Sequence, residues 1–146
     1  MALFIFTRRI LAGEAIEVYN SGQMKRDFTY IDDIVEGVWR VMNKPPRPDP
    51  RWDALHPDPA SSSAPYRLFN IGNNRPVDLL RFIALIEEKL GRRAEKILLP
   101  LQPGDVPETC ADIDDLRRHV GFAPDTPVEA GVARFVEWYT EFYGQG

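Results

Sequence analysis

The 146 residues include one cysteine and two histidines, with no surplus of basic side chains and no long apolar run. A single cysteine, Cys110, cannot close an internal disulfide, which fits a reducing compartment. Nor does Cys110 have a fixed basic neighbour, so it reads as a small buried or half-buried residue and not as a nucleophile. Neither His56 nor His119 has a cysteine, histidine or carboxylate at metal-ligand spacing, so no metal site is expected. Eighteen Lys and Arg face 22 Asp and Glu for a net charge of -4. That balance is the reverse of the basic stripe a nucleic-acid binder presents. No stretch approaches the ~18 apolar residues of a membrane span. The apolar segment at residues 1–11 carries Arg8 and Arg9 in its interior, whereas a signal peptide puts its charge first. The cytoplasm is the expected location. A glycine-rich phosphate loop is also absent, because residues 69–74 lead from strand to helix without the spaced glycines of a dinucleotide fingerprint.

What remains is 44% apolar and 27% charged, the composition of an ordinary soluble globular chain of one-domain length. Leu3, Phe6 and Ile10 fall at helical spacing, with Gly13 placed to end the helix. Residues 15–19 read as a short strand followed by a turn at 20–22, and residues 28–31 as a second extended segment. A helix is expected over 34–42, with Asp33 and Glu36 at capping-box spacing. Seven of the 13 prolines fall between 44 and 65, which predicts a surface loop there. Residues 66–71 read as a strand. Leu79, Phe82, Ile83, Ile86 and Leu90 trace one face of a helix that Gly91 stops. A strand at 97–99, a tight loop at 101–105 and a helix over 113–120 capped by Asp112 follow. The last helix is announced by Thr126 as N-cap, Pro127 in the first turn and Glu129 as the N3 acid. Its buried stripe is expected to be Val128, Val132, Phe135, Val136, Tyr139 and Tyr143. The fold class is mixed α/β, with four or five helices and about four short strands too scattered to make a sheet alone. The chain also begins inside a helix, which reads as part of something larger.

Two polar segments stand out. Residues 22–33 place Lys25 and Arg26 just before an extended stretch that feeds a helix. A guanidinium there can hold a phosphate by paired hydrogen bonds, or Arg26 and Asp27 can be plain surface residues. In residues 101–106 proline and glycine fix a loop that presents Gln102 and Asp105. An aspartate so held can accept from a ribose hydroxyl, or it can simply make the turn.

The runs YNSGQMKRDFTYIDDIVEGV, YRLFNIGNNRPVDLLRFI and LQPGDVPETCADIDDLRRHVGFAPDTPVEAGVARFVEWY resemble the C-terminal, substrate-binding portion of extended short-chain dehydrogenase/reductases (NAD-dependent epimerases/dehydratases). Within that superfamily the resemblance is to UDP-glucuronate 4-epimerases, and it covers nearly the whole chain, with the proline-rich loop matched least. It implies that Arg26 grips the nucleotide diphosphate, that Tyr19 lies against the uracil ring and that Asp105 contacts the ribose. Gln102 stands where many sugar-nucleotide epimerases carry a second phosphate-binding arginine. Thr109 stands where UDP-glucose epimerases carry a tyrosine facing the hexose.

The same resemblance implies parts that this chain lacks. Such enzymes carry NAD on a Rossmann half with a glycine fingerprint, and use a Tyr-x-x-x-Lys pair for proton transfer. None of the five tyrosines here is followed by lysine at that spacing. The expectation is therefore one substrate-binding domain over residues 1–146, with no catalytic or cofactor residues of its own and inactive alone. Its partners would be a UDP-sugar and the missing Rossmann domain. The parent would be a homodimer, and the fragment prone to self-association through exposed apolar surface. The same part of a UDP-sugar decarboxylase, a dehydratase or a neutral-sugar epimerase is the nearest alternative. A stand-alone binding module without catalysis is the other.

Overall fold

The computed structural model describes residues 2–144. Their contacts group into two compact units where the length suggested one domain. The first comprises the described residues up to Phe28, Arg75–Cys110 and those from Thr126 onward; the second comprises Thr29–Asn74 and Ala111–Asp125. Among the described residues no helix is long and apolar enough to cross a membrane.

In the first unit, α1 (Ala2–Ala12) stops at Gly13, whose φ of 71° is the left-handed turn expected there. β1 (Ile16–Val18) gives way to one 3-10 turn at Tyr19–Gly22, shortening the expected strand. β2 (Lys25–Asp27) pairs antiparallel with β3 (Pro76–Asp78), which runs directly into α3 (Leu79–Leu90). β4 (Lys96–Leu98) lies parallel to β1 in the register Ile16 to Lys96 and Val18 to Leu98. α5 (Val128–Tyr143) closes the unit. The apolar period of α3 does what it predicts: Leu79, Phe82, Ile83 and Ile86 are buried, and Gly91 caps the helix at φ 62°. Phe82 stacks on Phe28, ring centroids 4.0 Å apart, and joins Phe6, Ile10, Ile16, Val18, Val132 and Val136 in the core. On α5 the stripe holds for Val132, Val136 and Tyr139, but Tyr143 is half exposed. That helix also starts later than expected: Pro127, still extended, is the boundary residue, and its carbonyl accepts the Ala130 and Gly131 amides.

One acid is buried in this core. The Glu87 side chain accepts from the Ala94 amide at 2.8 Å, from Arg93 Nη1 at 3.1 Å and from Lys96 Nζ. Burial pushes its carboxyl up, yet the hydrogen bonds from Lys96 and Ala94, with the Lys96 charge and Arg93, outweigh burial and hold it below the ordinary glutamate range. Cys110, expected to be at least half buried, is exposed.

The second unit holds α2 (Ile31–Asn43), α4 (Asp114–Val120) and the proline-rich loop. α2 begins three residues earlier than expected, after an extended Tyr30 with no side-chain cap, so Asp33 already lies in the first turn and no capping box forms. Gly37 is buried where a Cβ would meet Ile71 Cδ1 at 3.2 Å, which lets α2 pack closely there. α4 starts one residue later than expected, with Ile113 and not Asp112 as its N-cap; Asp112 sits one residue further back and accepts the Asp114 amide at 3.0 Å in a local turn. Residues 66–71 are not a strand: among the described residues only an isolated bridge, Ser61 to Arg67, pairs them, and a strand is defined by its ladder. The proline-rich loop is a surface excursion, but a tied one. Asp49, Asp53 and Asp58 each accept the amide two residues on, at 2.9 Å. Backbone hydrogen bonds to Asp53 from Leu55 and to Asp58 from Ala60, joined by His56 and Ser61 side chains, hold both carboxyls below the usual aspartate range. His119 stacks on Phe69 and its Nε2 lies 2.8 Å from the Lys44 carbonyl, which fixes the start of the loop.

Candidate nucleotide site

The four residues singled out in the sequence all lie in the first unit. Two segments leave the C-terminal ends of the parallel strands β1 and β4 side by side: the turn Tyr19–Gly22 and the loop after Leu98. Leu99 donates to the Val18 carbonyl at 3.0 Å, and Ser21 donates back to Leu99 at 3.0 Å. Ser21 and Asn20 both sit at φ 50°, and Gly22 at φ 80°, so this turn is held in the left-handed region. Downstream, the Lys25 amide donates to Pro107 at 2.8 Å and Thr109 donates to the Lys25 carbonyl at 3.2 Å. The segment 107–109 thus runs beside β2 through an isolated parallel bridge, Lys25 to Glu108, and Thr109 Oγ1 accepts the Asp27 amide at 3.3 Å.

That pairing brings Arg26 to Asp105, 79 residues away in sequence. Arg26 Nη2 donates to Asp105 Oδ1 at 2.9 Å, with the side chains 24% and 35% exposed. Arg26 Nη1 donates to the carbonyls of Lys25 at 2.8 Å and Pro107 at 3.1 Å, and the Met24 sulfur lies 4.0 Å from Nη2. Asp105 Oδ1 also accepts the Val106 amide at 2.9 Å, while the Asp105 amide donates to Gln102 at 3.1 Å around Gly104. Gln102 itself is exposed. Tyr19 is half buried and its hydroxyl donates to Glu17 Oε2 at 3.1 Å. That hydrogen bond, with slight burial and the Glu17 charge, raises the tyrosine above its ordinary value.

The structure therefore joins Arg26 with Asp105 and puts Gln102 on the same loop, while Tyr19 stands on the neighbouring turn with Glu17 as its partner. Sequence reading missed three participants. Glu17 lies two positions from Tyr19, and β-spacing alone could have paired them. The Pro107 carbonyl left no signal, since a backbone acceptor has no residue signature, and a methionine at 24 reads as a core residue before a sulfur contact. Among the described residues no cluster of acidic, histidine or cysteine side chains could hold a metal. The junction of β3 and α3 passes from Asp78 to Leu79 without a glycine, so the glycine fingerprint does not occur at that turn.

Residues 1–54 match the model of the NAD dependent epimerase/dehydratase family. The chain is 54% identical over 143 residues to Protein CapI of Staphylococcus aureus, covering 98% of this chain and 43% of that protein. It is 45% identical over 147 residues to a probable UDP-glucuronate 4-epimerase of Rhizobium meliloti, covering 98% of this chain and 42% of the relative. Among solved structures, UDP-glucose 4-epimerase of Thermotoga maritima with UDP-glucose superposes with a TM-score of 0.77 at 26% identity, over 97% of this chain and 40% of that one. The chain spans about two fifths of the length of the proteins it matches.

Proposed function

We propose that this chain, whose residues 1–54 match the NAD dependent epimerase/dehydratase family, forms the nucleotide-sugar-binding C-terminal part of a UDP-glucuronate 4-epimerase. The observation that carries the site is the contact between Arg26 and Asp105, at 2.9 Å, beside two turns that leave the ends of parallel strands. Open α/β sheets bind ligands outside the carboxyl ends of their strands. Arg26 supplies a charge for the diphosphate, Asp105 an acceptor for the ribose hydroxyls and Tyr19 a ring face for the uracil. The substrate class is the one named for the Rhizobium relative, whose 45% identity runs the length of the chain. The whole protein would interconvert UDP-glucuronate and UDP-galacturonate, inverting C4 of the sugar.

NAD serves in such a protein, and no redox or proton-transfer step is assigned to the residues here. Their contribution is to bind and orient. Holding the sugar correctly matters because a misplacement near 1 Å can cost about 100-fold in rate. A UDP-glucose substrate, as in the Thermotoga structure, is the second reading. Against it, Thr109 spends its hydroxyl on the Asp27 amide within the fold.

The partner that completes the enzyme would be a Rossmann domain carried by the remaining length of the protein. α2 supports this: Ile31, Val35, Trp39 and Met42 are 61%, 59%, 59% and 75% exposed along one stripe. So much contiguous apolar surface marks an interface.

The test is an assay of the full-length protein with UDP-glucuronate and NAD, read by NMR. Formation of UDP-galacturonate supports the proposal; UDP-xylose with carbon dioxide would replace it with a decarboxylase, and turnover of UDP-glucose alone with a neutral-sugar epimerase. In the same protein Arg26→Ala is expected to weaken UDP-sugar binding by about 1.5–3 kcal/mol, the scale of a charged hydrogen bond. An unchanged UDP inhibition constant would remove Arg26 from the site.

A further inference from the structure

We infer that the Arg26–Asp105 ion pair is a gate against simple anions. Asp105 occupies, from within the protein, the place on Arg26 that a bare phosphate would take, and it releases that place to a ligand that also offers hydroxyl donors to the carboxylate. The inference rests on the reading above, that the two residues line a nucleotide site.

Both terminal nitrogens of the guanidinium are engaged. Nη1 is fixed by the Lys25 and Pro107 carbonyls, and Nη2 meets the Asp105 carboxylate at 2.9 Å with only the weakly accepting Met24 sulfur as a further neighbour. An anion arriving at this edge therefore meets a neutralised pair instead of a free cation. It also competes with a carboxylate that cannot diffuse away. The hydrogen bond from the Asp105 amide to Gln102, the left-handed Gly104 at φ 85° and the Lys25 to Pro107 pairing tether that carboxylate on both sides. A tethered competitor acts at high effective concentration, so a free anion gains little by displacing it.

A nucleoside diphosphate differs from inorganic pyrophosphate in one respect that matters here. Its ribose carries two neighbouring hydroxyls that donate to a carboxylate, and Asp105 Oδ2 has no hydrogen-bond partner among the described residues. The carboxylate then exchanges one set of donors for another, so its displacement from Arg26 costs little. Pyrophosphate offers no such exchange. Asp105 would thus set selectivity by penalising ligands that have the phosphates without the sugar.

The experiment compares UDP and inorganic pyrophosphate by calorimetry on the full-length protein and on its Asp105→Asn and Asp105→Ala variants. The expected result is opposite signs: UDP weakens about tenfold, the scale of a lost hydrogen bond to a charged group. Pyrophosphate tightens about two- to fivefold, as suits the loss of a half-exposed competing ion pair. If UDP weakens while pyrophosphate is unchanged or weaker, Asp105 is a ribose ligand only; the gate is overturned and the site stands. If both ligands weaken together and the melting temperature falls in both variants, Asp105 is a structural turn residue and the gate is likewise overturned. If UDP affinity ignores both Asp105 variants and Arg26→Ala, the nucleotide site itself is misassigned.

Discussion

α2 and α3 are both amphipathic helices of similar length, and they meet opposite fates. α3 buries Leu79, Phe82, Ile83, Leu85 and Ile86, whereas α2 buries only Asp33 and Gly37 and leaves Ile31, Val35, Val38, Trp39 and Met42 exposed. The apolar period of a sequence states which face a helix means to bury, and the second surface must come from elsewhere. In α3 it comes from α1, α5 and the short strands of the same unit. In α2 Gly37 packs against Ile71 and Phe122 and the Arg40 guanidinium lies 4.9 Å from the Phe122 ring, while the large residues of the stripe stay exposed. α3 is therefore a core helix, while α2 keeps its apolar stripe exposed.

The comparison breaks most visibly at Phe82. Its ring is 1% exposed and stacked on Phe28, so Phe82→Ala should cost about 3–5 kcal/mol and lower the urea midpoint accordingly. A loss under about 1 kcal/mol would mean that α3 is not the centre of the first unit. Glu87 sharpens the same point with a polar group. Glu87→Gln keeps the side-chain volume but removes the charge shared by Lys96 and Arg93, at an expected cost near 1–3 kcal/mol. The pH dependence has a definite sign. A carboxyl held below its ordinary value contributes stability that is present above about pH 4.3 and lost as the pH falls through the lower folded value. Denaturant melts of the parent chain should therefore lose stability through that acid range. The Gln variant should lose less over the same interval, and parallel pH profiles would show that Glu87 is not linked to folding.

This contrast also marks how far the sequence was legible. α1 and α3 were readable because apolar period and glycine stops agree, with left-handed caps at Gly13 and Gly91, and α5 from its apolar period. Residues 66–71 have the β-branched and aromatic look of a strand, but pairing makes a strand and no pattern within one segment supplies a partner. Proline density marked residues 44–65 as a loop; that Asp49, Asp53 and Asp58 tie it by turns onto their own backbone is a local signal that composition obscured. At the site, Arg26 and Asp105 were each conspicuous. Their contact was not, since it depends on the Lys25 to Pro107 register, which is carried by backbone groups.

The smallest expected effect tests the other helix. Trp39 is 59% exposed, so Trp39→Lys in the 146-residue chain should change stability by no more than about 0.5 kcal/mol, as for an ordinary surface position. The same substitution should reduce self-association at high concentration, measured by light scattering, because it places a charge in the middle of the apolar stripe. In the full-length protein the effect should grow to about 2 kcal/mol or more if a second domain covers α2, since a lysine would then be buried without a partner. The ratio of the two effects is thus the measurement. A substitution that is equally mild in both contexts would leave the stripe of α2 uncovered in the whole protein, and the difference between α2 and α3 would then have no interface behind it.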